Sequence, residues 1–297
     1  WYYGPQKRFL SSLTMEYKPN DKKAFDVLSV ILAYQNIEED RIVRRFGRLA
    51  RSHQEEDVHV GSLNVDFVKN FGKEKQGSQI VESHRLLYGL EMNYNRVNSL
   101  AYNEHVETGE IDFDAVTRYP DGGSNMTMAA AYVGYRQKFR GKYTMNAGMR
   151  YTFASLQSTF ADTLNIQLPY SEISSDLGAL TGSLSLIWEV AKNTTVNVLA
   201  STAFRSPNVD DFGKIRANGG FVTVPNPNLS SEYALNGEMS LTQYFNTSPQ
   251  NKRSSISVTG FYTYLFDAIV RDFTTLNGVD SLLHYGDYYT TTWNTNA

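Results

Sequence analysis

The sequence predicts an all-β chain: part of a transmembrane antiparallel β-barrel, incomplete, with about eleven strands of a wall that would hold about twice as many. Three observations carry this. Apolar and polar residues alternate with period two. The alternating segments are longer than the ~5–6 residues of ordinary strands and suit the ~9–11 that cross a bilayer at a tilt. The links between them alternate between short and long, as periplasmic turns and outer loops do in outer-membrane barrels.

The strands follow in order. Lys7–Lys18 carries Phe9, Leu13, Met15 and Tyr17 on one face. Phe25–Ile37 is the most apolar, with both faces partly oily. Val58–Lys69 starts ragged, then alternates Leu63, Val65 and Phe67 with Asn64 and Asp66. His84–Asn95 is the clearest: Leu86, Tyr88, Leu90, Met92 and Tyr94 oppose Arg85, Gly89, Glu91, Asn93 and Asn95. Successive side chains of a strand point to opposite faces, so each segment has one oily and one wet side. Thr127–Phe139 follows, then Tyr143–Phe153, where Met145, Met149 and Tyr151 oppose Asn146, Arg150 and Thr152. Leu180–Val190 sets Leu184, Leu186 and Trp188 against Ser183, Ser185 and Glu189. Thr194–Arg205, Glu232–Thr242 and Ser254–Val270 complete the set, and Tyr285 opens another strand.

The links at Pro19–Ala24, Arg140–Lys142 and Ala191–Asn193 are short, and Asn246–Arg253 is moderate. Glu38–His53, Asn98–Asn125, Gln157–Asp176, Ser206–Ser230 and Arg271–His284 are long. Asn70–Ser83 falls on the short side yet is polar and extended, and reads as an enlarged periplasmic turn. Aromatics gather at segment ends, as at Phe139, Tyr143, Trp188 and Tyr244-Phe245, where an interfacial girdle would place them. The wet faces carry Arg85, Glu91, Arg150, Glu189, Arg205, Glu232 and Glu238, which need a watery or plugged lumen and therefore a wide barrel. At roughly 27 residues per strand, a 22-stranded barrel needs ~600 residues. The chain begins Trp1-Tyr2-Tyr3 and stops mid-pattern at Asn296-Ala297, so it is expected to be a piece of a longer protein, all of 1–297 belonging to the barrel.

Composition closes other routes. Aromatics at 13% and a net charge of −3 exclude disorder and give no reason to expect nucleic acid. No apolar run is long enough for a membrane helix. Zero Cys excludes disulfides, thiolate metal sites and a Cys nucleophile. No zinc-protease, phosphate-loop, dinucleotide or hydrolase-elbow pattern occurs, so no enzyme, catalytic residue, metal site or cofactor is implied. His53, His59, His84, His105 and His284 are scattered. His53 and His59 share a face but stand ~20 Å apart on an extended chain. The charges of Glu38-Glu39-Asp40-Arg41 and Arg44-Arg45 read as a loop salt-bridge network in preference to a lipopolysaccharide contact.

One stretch carries a signature. Phe204-Arg205-Ser206-Pro207-Asn208 ends a strand, and Asn226-Pro227-Asn228-Leu229 precedes Glu232 and the next strand. This resembles the paired Phe-Arg-Ala-Pro and Asn-Pro-Asn-Leu boxes of TonB-dependent outer-membrane receptors, with Ser206 where Ala is usual. The Gly4-Pro5-Gln6 and Tyr88-Gly89-Leu90-Glu91 segments look similar too. The resemblance implies a 22-stranded receptor in the bacterial outer membrane, closed by a plug upstream of Trp1 and driven by the TonB complex. Plug and TonB box are absent from this chain. Its partners would be TonB, a small-molecule ligand and outer-membrane lipid. An iron–siderophore complex is the first choice of ligand, because haem receptors of this kind carry a ligand His between the boxes and residues 208–224 have none. A haem or cobalamin receptor, or a passive porin or adhesin barrel, is the alternative. Arg205, Asn208, Asp210, Asp211, Lys214 and Arg216 are the candidate ligand contacts. Phe204, Pro207, Asn226, Pro227, Asn228 and Leu229 equally suit loop shaping, since Pro cannot donate to a ladder and Asn-Pro-Asn is turn chemistry.

Overall fold

A computed structural model describes residues 2–21, 24–76, 79–113, 115–161, 168–245, 254–284 and 287–297. The chain runs β1 (Tyr2–Tyr3), β2 (Gln6–Tyr17), β3 (Val27–Val43), β4 (Ala50–Gln76), β5 (Gln79–His105), β6 (Ile111–Asp112), β7 (Ser124–Phe139), β8 (Tyr143–Thr159) and β9 (Glu172–Ala191). It continues through β10 (Thr194–Arg205), α1 (Val209–Phe212), β11 (Arg216–Asn218), β12 (Phe221–Thr223), β13 (Glu232–Tyr244), β14 (Ser255–Phe266), β15 (Ile269–Phe273), β16 (Ser281–His284) and β17 (Asp287–Asn296). One antiparallel wall has the order β1-β3-β4-β5-β7-β8-β9-β10-β13-β14, with β2 on β3 and β6 on β5. Its flanks, β2 and β14, do not pair with each other among the described residues, so the barrel is open. A smaller sheet, β11-β12-β17-β15 with β16 on β17, lies outside this ladder.

The ladder turns local alternation into two continuous surfaces. Leu63 pairs with Met92, Met92 with Ala129, and Ala129 with Phe153. Farther round, Ala147 pairs with Leu184 and Leu184 with Ala200. These rows form an apolar exterior on which Leu90, Met92, Met149, Leu180 and Leu184 are all exposed. The opposite rows are polar. Arg150 pairs with Glu91 at 2.9 Å, its guanidinium lies 5.7 Å from the Tyr132 ring centroid, and Tyr132 donates to Asp66. Tyr132 on β7 reaches Asp66 on β4 by crossing β5 at Gly89, where a Cβ would come within 2.5 Å of the Tyr132 hydroxyl.

The short turn at 140–142 is built for its job. Arg140 and Gly141 both have positive φ, a backbone whose twist suits a tight hairpin. Phe139 stacks on Tyr143 at 5.3 Å and Tyr143 on Trp188 at 6.0 Å, forming an aromatic row at that rim.

Several sequence boundaries move. Thr194–Arg205 is β10 as expected, but most strands run farther outward. The expected Glu38–His53 loop is mostly strand, and only residues 44–49 link β3 to β4. Most of the expected Asn70–Ser83 turn is strand: β4 and β5 continue pairing into it, from Phe71 opposite His84 to Gln76 opposite Gln79. Charged and glycine-rich residues hid both extensions, because ladder hydrogen bonds join backbones whatever the side chains. Ser254–Val270 breaks at Asp267, whose φ is 52°, and β15 joins the smaller sheet. β17 joins that sheet too, so the wall has one long strand fewer than expected. The expected strand start at Tyr285 and the expected Asn246–Arg253 turn lie outside the described residues.

Buried packing sits at the outer end, on the inner face. Val97, Met126, Leu156 and Ile173 from the wall meet Val209, Phe212 and Leu229 from the segment after β10. Val222, Val224 and Leu276 form a second cluster beside it. The outer loops therefore fold inward over the wall.

Candidate functional site

The inward-folded segment 206–231 is where the sequence placed its candidate site. Pro207 is fully buried directly after β10, where its missing N–H ends pairing. Asn208 then caps α1: its Oδ1 accepts from the Asp211 N–H at 2.9 Å, and Asp211 accepts from the Asn208 N–H at 3.2 Å. Two of the free N–H groups at the start of this turn are thereby satisfied.

Arg205 holds the segment to the wall. Its guanidinium donates to Asp211 on α1 and to Glu232 at the start of β13. Glu232 also accepts from the Ile269 N–H. Phe204 packs against Tyr233 across the same pair of strands, with ring centroids 6.2 Å apart.

Asp210 is the centre of a second cluster. It accepts from Lys214 at 2.6 and 2.8 Å and from the Tyr119 hydroxyl at 3.2 Å, and Arg118 lies 3.6 Å away. Burial alone would push the Asp210 carboxyl up, but the Lys214 ammonium and Arg118 outweigh it and hold the carboxyl below its ordinary value. Burial and the nearby Asp210 charge push the Tyr119 phenol up to about 12, against the pull of Arg118.

The second box works as a tether. Asn226 is buried; its Oδ1 accepts from the Asn228 N–H at 2.9 Å and its Nδ2 donates to the Asn294 carbonyl at 2.8 Å. Pro227 sits inside that turn, and Leu229 is buried in the outer cluster. Asn294 in turn donates to the Asp211 carbonyl at 2.9 Å. The two boxes are thus joined through β17.

Of the six candidate contacts, Arg205, Asn208, Asp210, Asp211 and Lys214 partner one another or the loop's own framework. Arg216 differs: it is exposed on β11 and its side chain has no hydrogen bond or ion pair among the described residues. Arg118, Tyr119 and Tyr170 were not legible as site residues. Tyr119 meets Asp210 across 91 positions of sequence, and Tyr170 donates to the Pro225 carbonyl at 2.8 Å, with burial raising its phenol to about 12. No local pattern marks such contacts. Glu56 was also missed: it is buried on β4, and neither carboxylate oxygen is hydrogen-bonded among the described residues.

The histidines are placed singly. His53 bonds Glu104 at 3.0 Å, His59 bonds Asp57 at 3.0 Å, and His105 accepts from the Thr108 N–H. No group of three potential metal ligands occurs among the described residues.

Comparison with known proteins agrees with this architecture. The family described as TonB dependent receptor-like, beta-barrel, matches residues 1–294. No curated protein matches the sequence. The fold is similar to that of the hemophore receptor HasR of Serratia marcescens, solved with its hemophore HasA and haem, with a TM-score of 0.73 at 14% identity over 99% of this chain and 44% of that one. The copper transporter OprC gives 0.66 at 13% identity over 98% and 42%. The ferric yersiniabactin uptake receptor FyuA from Yersinia pestis gives 0.59 at 13% identity over 89% and 37%. The chain spans less than half the length of each, and at such identities the likeness is one of fold. With an open antiparallel wall, one oily and one charged face, and a family match over nearly its whole length, the chain belongs to the TonB-dependent receptor β-barrel family.

Proposed function

We propose that this chain forms part of the wall of a bacterial outer-membrane receptor that takes up a scarce ligand with energy from TonB, and that the ligand is an iron–siderophore complex. The family match supports the first half. In this reading the exposed apolar exterior meets lipid. The charged inner face, with Arg150, Glu91 and Asp66 already paired, meets a plug domain supplied by the rest of the receptor.

The observation that carries the ligand class is the chemistry of the segment over the lumen. Residues 208–224 hold no imidazole to ligate haem iron, while Arg216 stands exposed and unpaired among the described residues. An anionic ferric chelate is the complement of a free guanidinium, through charge-assisted hydrogen bonds. Lys214 is already committed to Asp210, so Arg216 is the better probe.

The test is uptake of a radiolabelled ferric siderophore by cells carrying the full-length receptor. Uptake should stop without TonB, and Arg216→Glu should weaken it about tenfold, the effect of ~1.4 kcal/mol. Uptake that continues without TonB refutes energised transport and favours a passive pore. Growth on haem alone, lost with His105→Ala, refutes the siderophore class.

A further inference from the structure

On the exterior of the wall, above its apolar band, the ends of β5, β7, β8 and β9 enclose a polar hollow of about 330 Å3. The register fixes its height. Tyr94 shares a face with the exposed Leu90 and Met92, and the next residues on that face, Arg96 and Asn98, line the hollow. Asn125 and Gln157 face each other across the β7–β8 ladder and line it too, with Glu172 on the far side. The Tyr94 hydroxyl donates to Asn125 at 2.8 Å, at the base. A strand rises about 3.3 Å per residue, so at a tilt of about 45° Arg96 stands ~5 Å above Tyr94 along the membrane normal. That is one step above the last exposed ring of the apolar band. Arg96 is exposed and its side chain makes no hydrogen bond or ion pair among the described residues.

We propose that this hollow binds the phosphorylated head group of a membrane lipid, with the acyl chains lying along Met92, Phe153 and Leu180. The proposal rests on the reading above that the apolar exterior faces lipid. Arg96 offers a planar fork that matches a phosphate, and its apolar stem can lie on the band below. The amides of Asn98, Asn125 and Gln157 suit ester and hydroxyl oxygens. Glu172 opposes Arg96 across the hollow, which favours a head group with an amine or hydroxyl beyond its phosphate over a bare anion. Continuity with exposed apolar rows argues for a lipid, because only a lipid fills both the hollow and the surface beneath it.

The test uses the full-length receptor isolated in detergent and native mass spectrometry. The probes are a short-chain phosphatidylethanolamine and the diacylglycerol with the same chains. Arg96→Ala and Arg96→Glu should each lower retained phosphatidylethanolamine about fivefold or more, and Arg96→Lys should lower it less. Arg140→Ala, at the opposite rim, should leave it unchanged, and diacylglycerol should not be retained. Equal retention by wild type and both Arg96 variants overturns the site. Displacement of the lipid by inorganic phosphate alone makes it a free-anion site and overturns the lipid assignment. A receptor that stays soluble without detergent and retains no lipid anywhere refutes instead the underlying reading of the exterior.

Discussion

Replacing Leu184 or its neighbour Ser183 with Arg places one charge on either side of the same strand. Leu184 lies on the exterior row between Ala147 and Ala200 and is 55% exposed. Ser183 lies on the inner row between Gly148 and Ser201. Arg at a lipid-facing midplane position costs ~2–4 kcal/mol, which is roughly 30- to 700-fold in the folding equilibrium. Arg on a wet inner face should stay near the ~0.5 kcal/mol of ordinary surface changes. The measurement is a urea titration of the full-length receptor refolded into lipid vesicles, comparing both variants with wild type. Leu184→Arg should shift the midpoint strongly and Ser183→Arg hardly at all. Equal shifts, or a larger one for Ser183→Arg, would mean the two faces are assigned the wrong way round, because a one-residue slip of register exchanges them completely.

Three further outcomes follow from the outer segment and the two rims. A cysteine at Gly219 should react with a membrane-impermeant reagent on intact cells and one at Gly141 should not; reaction at Gly141 alone would invert the topology. Arg205→Ala strips Asp211 and Glu232 of their shared partner, so limited proteolysis should cut within 206–231 faster, by about tenfold, while the wall strands stay protected; unchanged cutting would deny Arg205 its clamping role. The Asp210 carboxyl is held below its model-peptide value of 3.8, so its contribution is fully present above about pH 4 and lost as pH falls through the depressed value. Protection factors at the Phe212 and Gly213 amides, which remove the intrinsic pH dependence of exchange, should fall in acid for wild type and lose that dependence in Asp210→Asn; identical profiles would separate the Lys214 latch from the loop's stability.

The period-two pattern by itself determined the all-β class, the oily and wet faces, and most of the wall. Two-fold alternation leaves a strand no choice of face, and the turn at Arg140–Lys142 announces its own geometry. Sequence also singled out Phe204–Asn208 and Asn226–Leu229 through their resemblance to the family's paired boxes, and their loop-shaping role was readable because proline and asparagine act on the backbone locally. Only the tertiary structure decided how far strands run and what the polar residues do. The extensions of β3, β4 and β5 beyond the apolar band are held by cross-strand backbone bonds that no side-chain period reports. Asp210 and Arg205 look like ordinary charges in the sequence, yet Tyr119 and Arg118 beside the first and Glu232 beside the second come from distant segments. A charge's role depends on what folding brings beside it, and that is why Arg216 separates from Lys214 and Arg205 only in three dimensions.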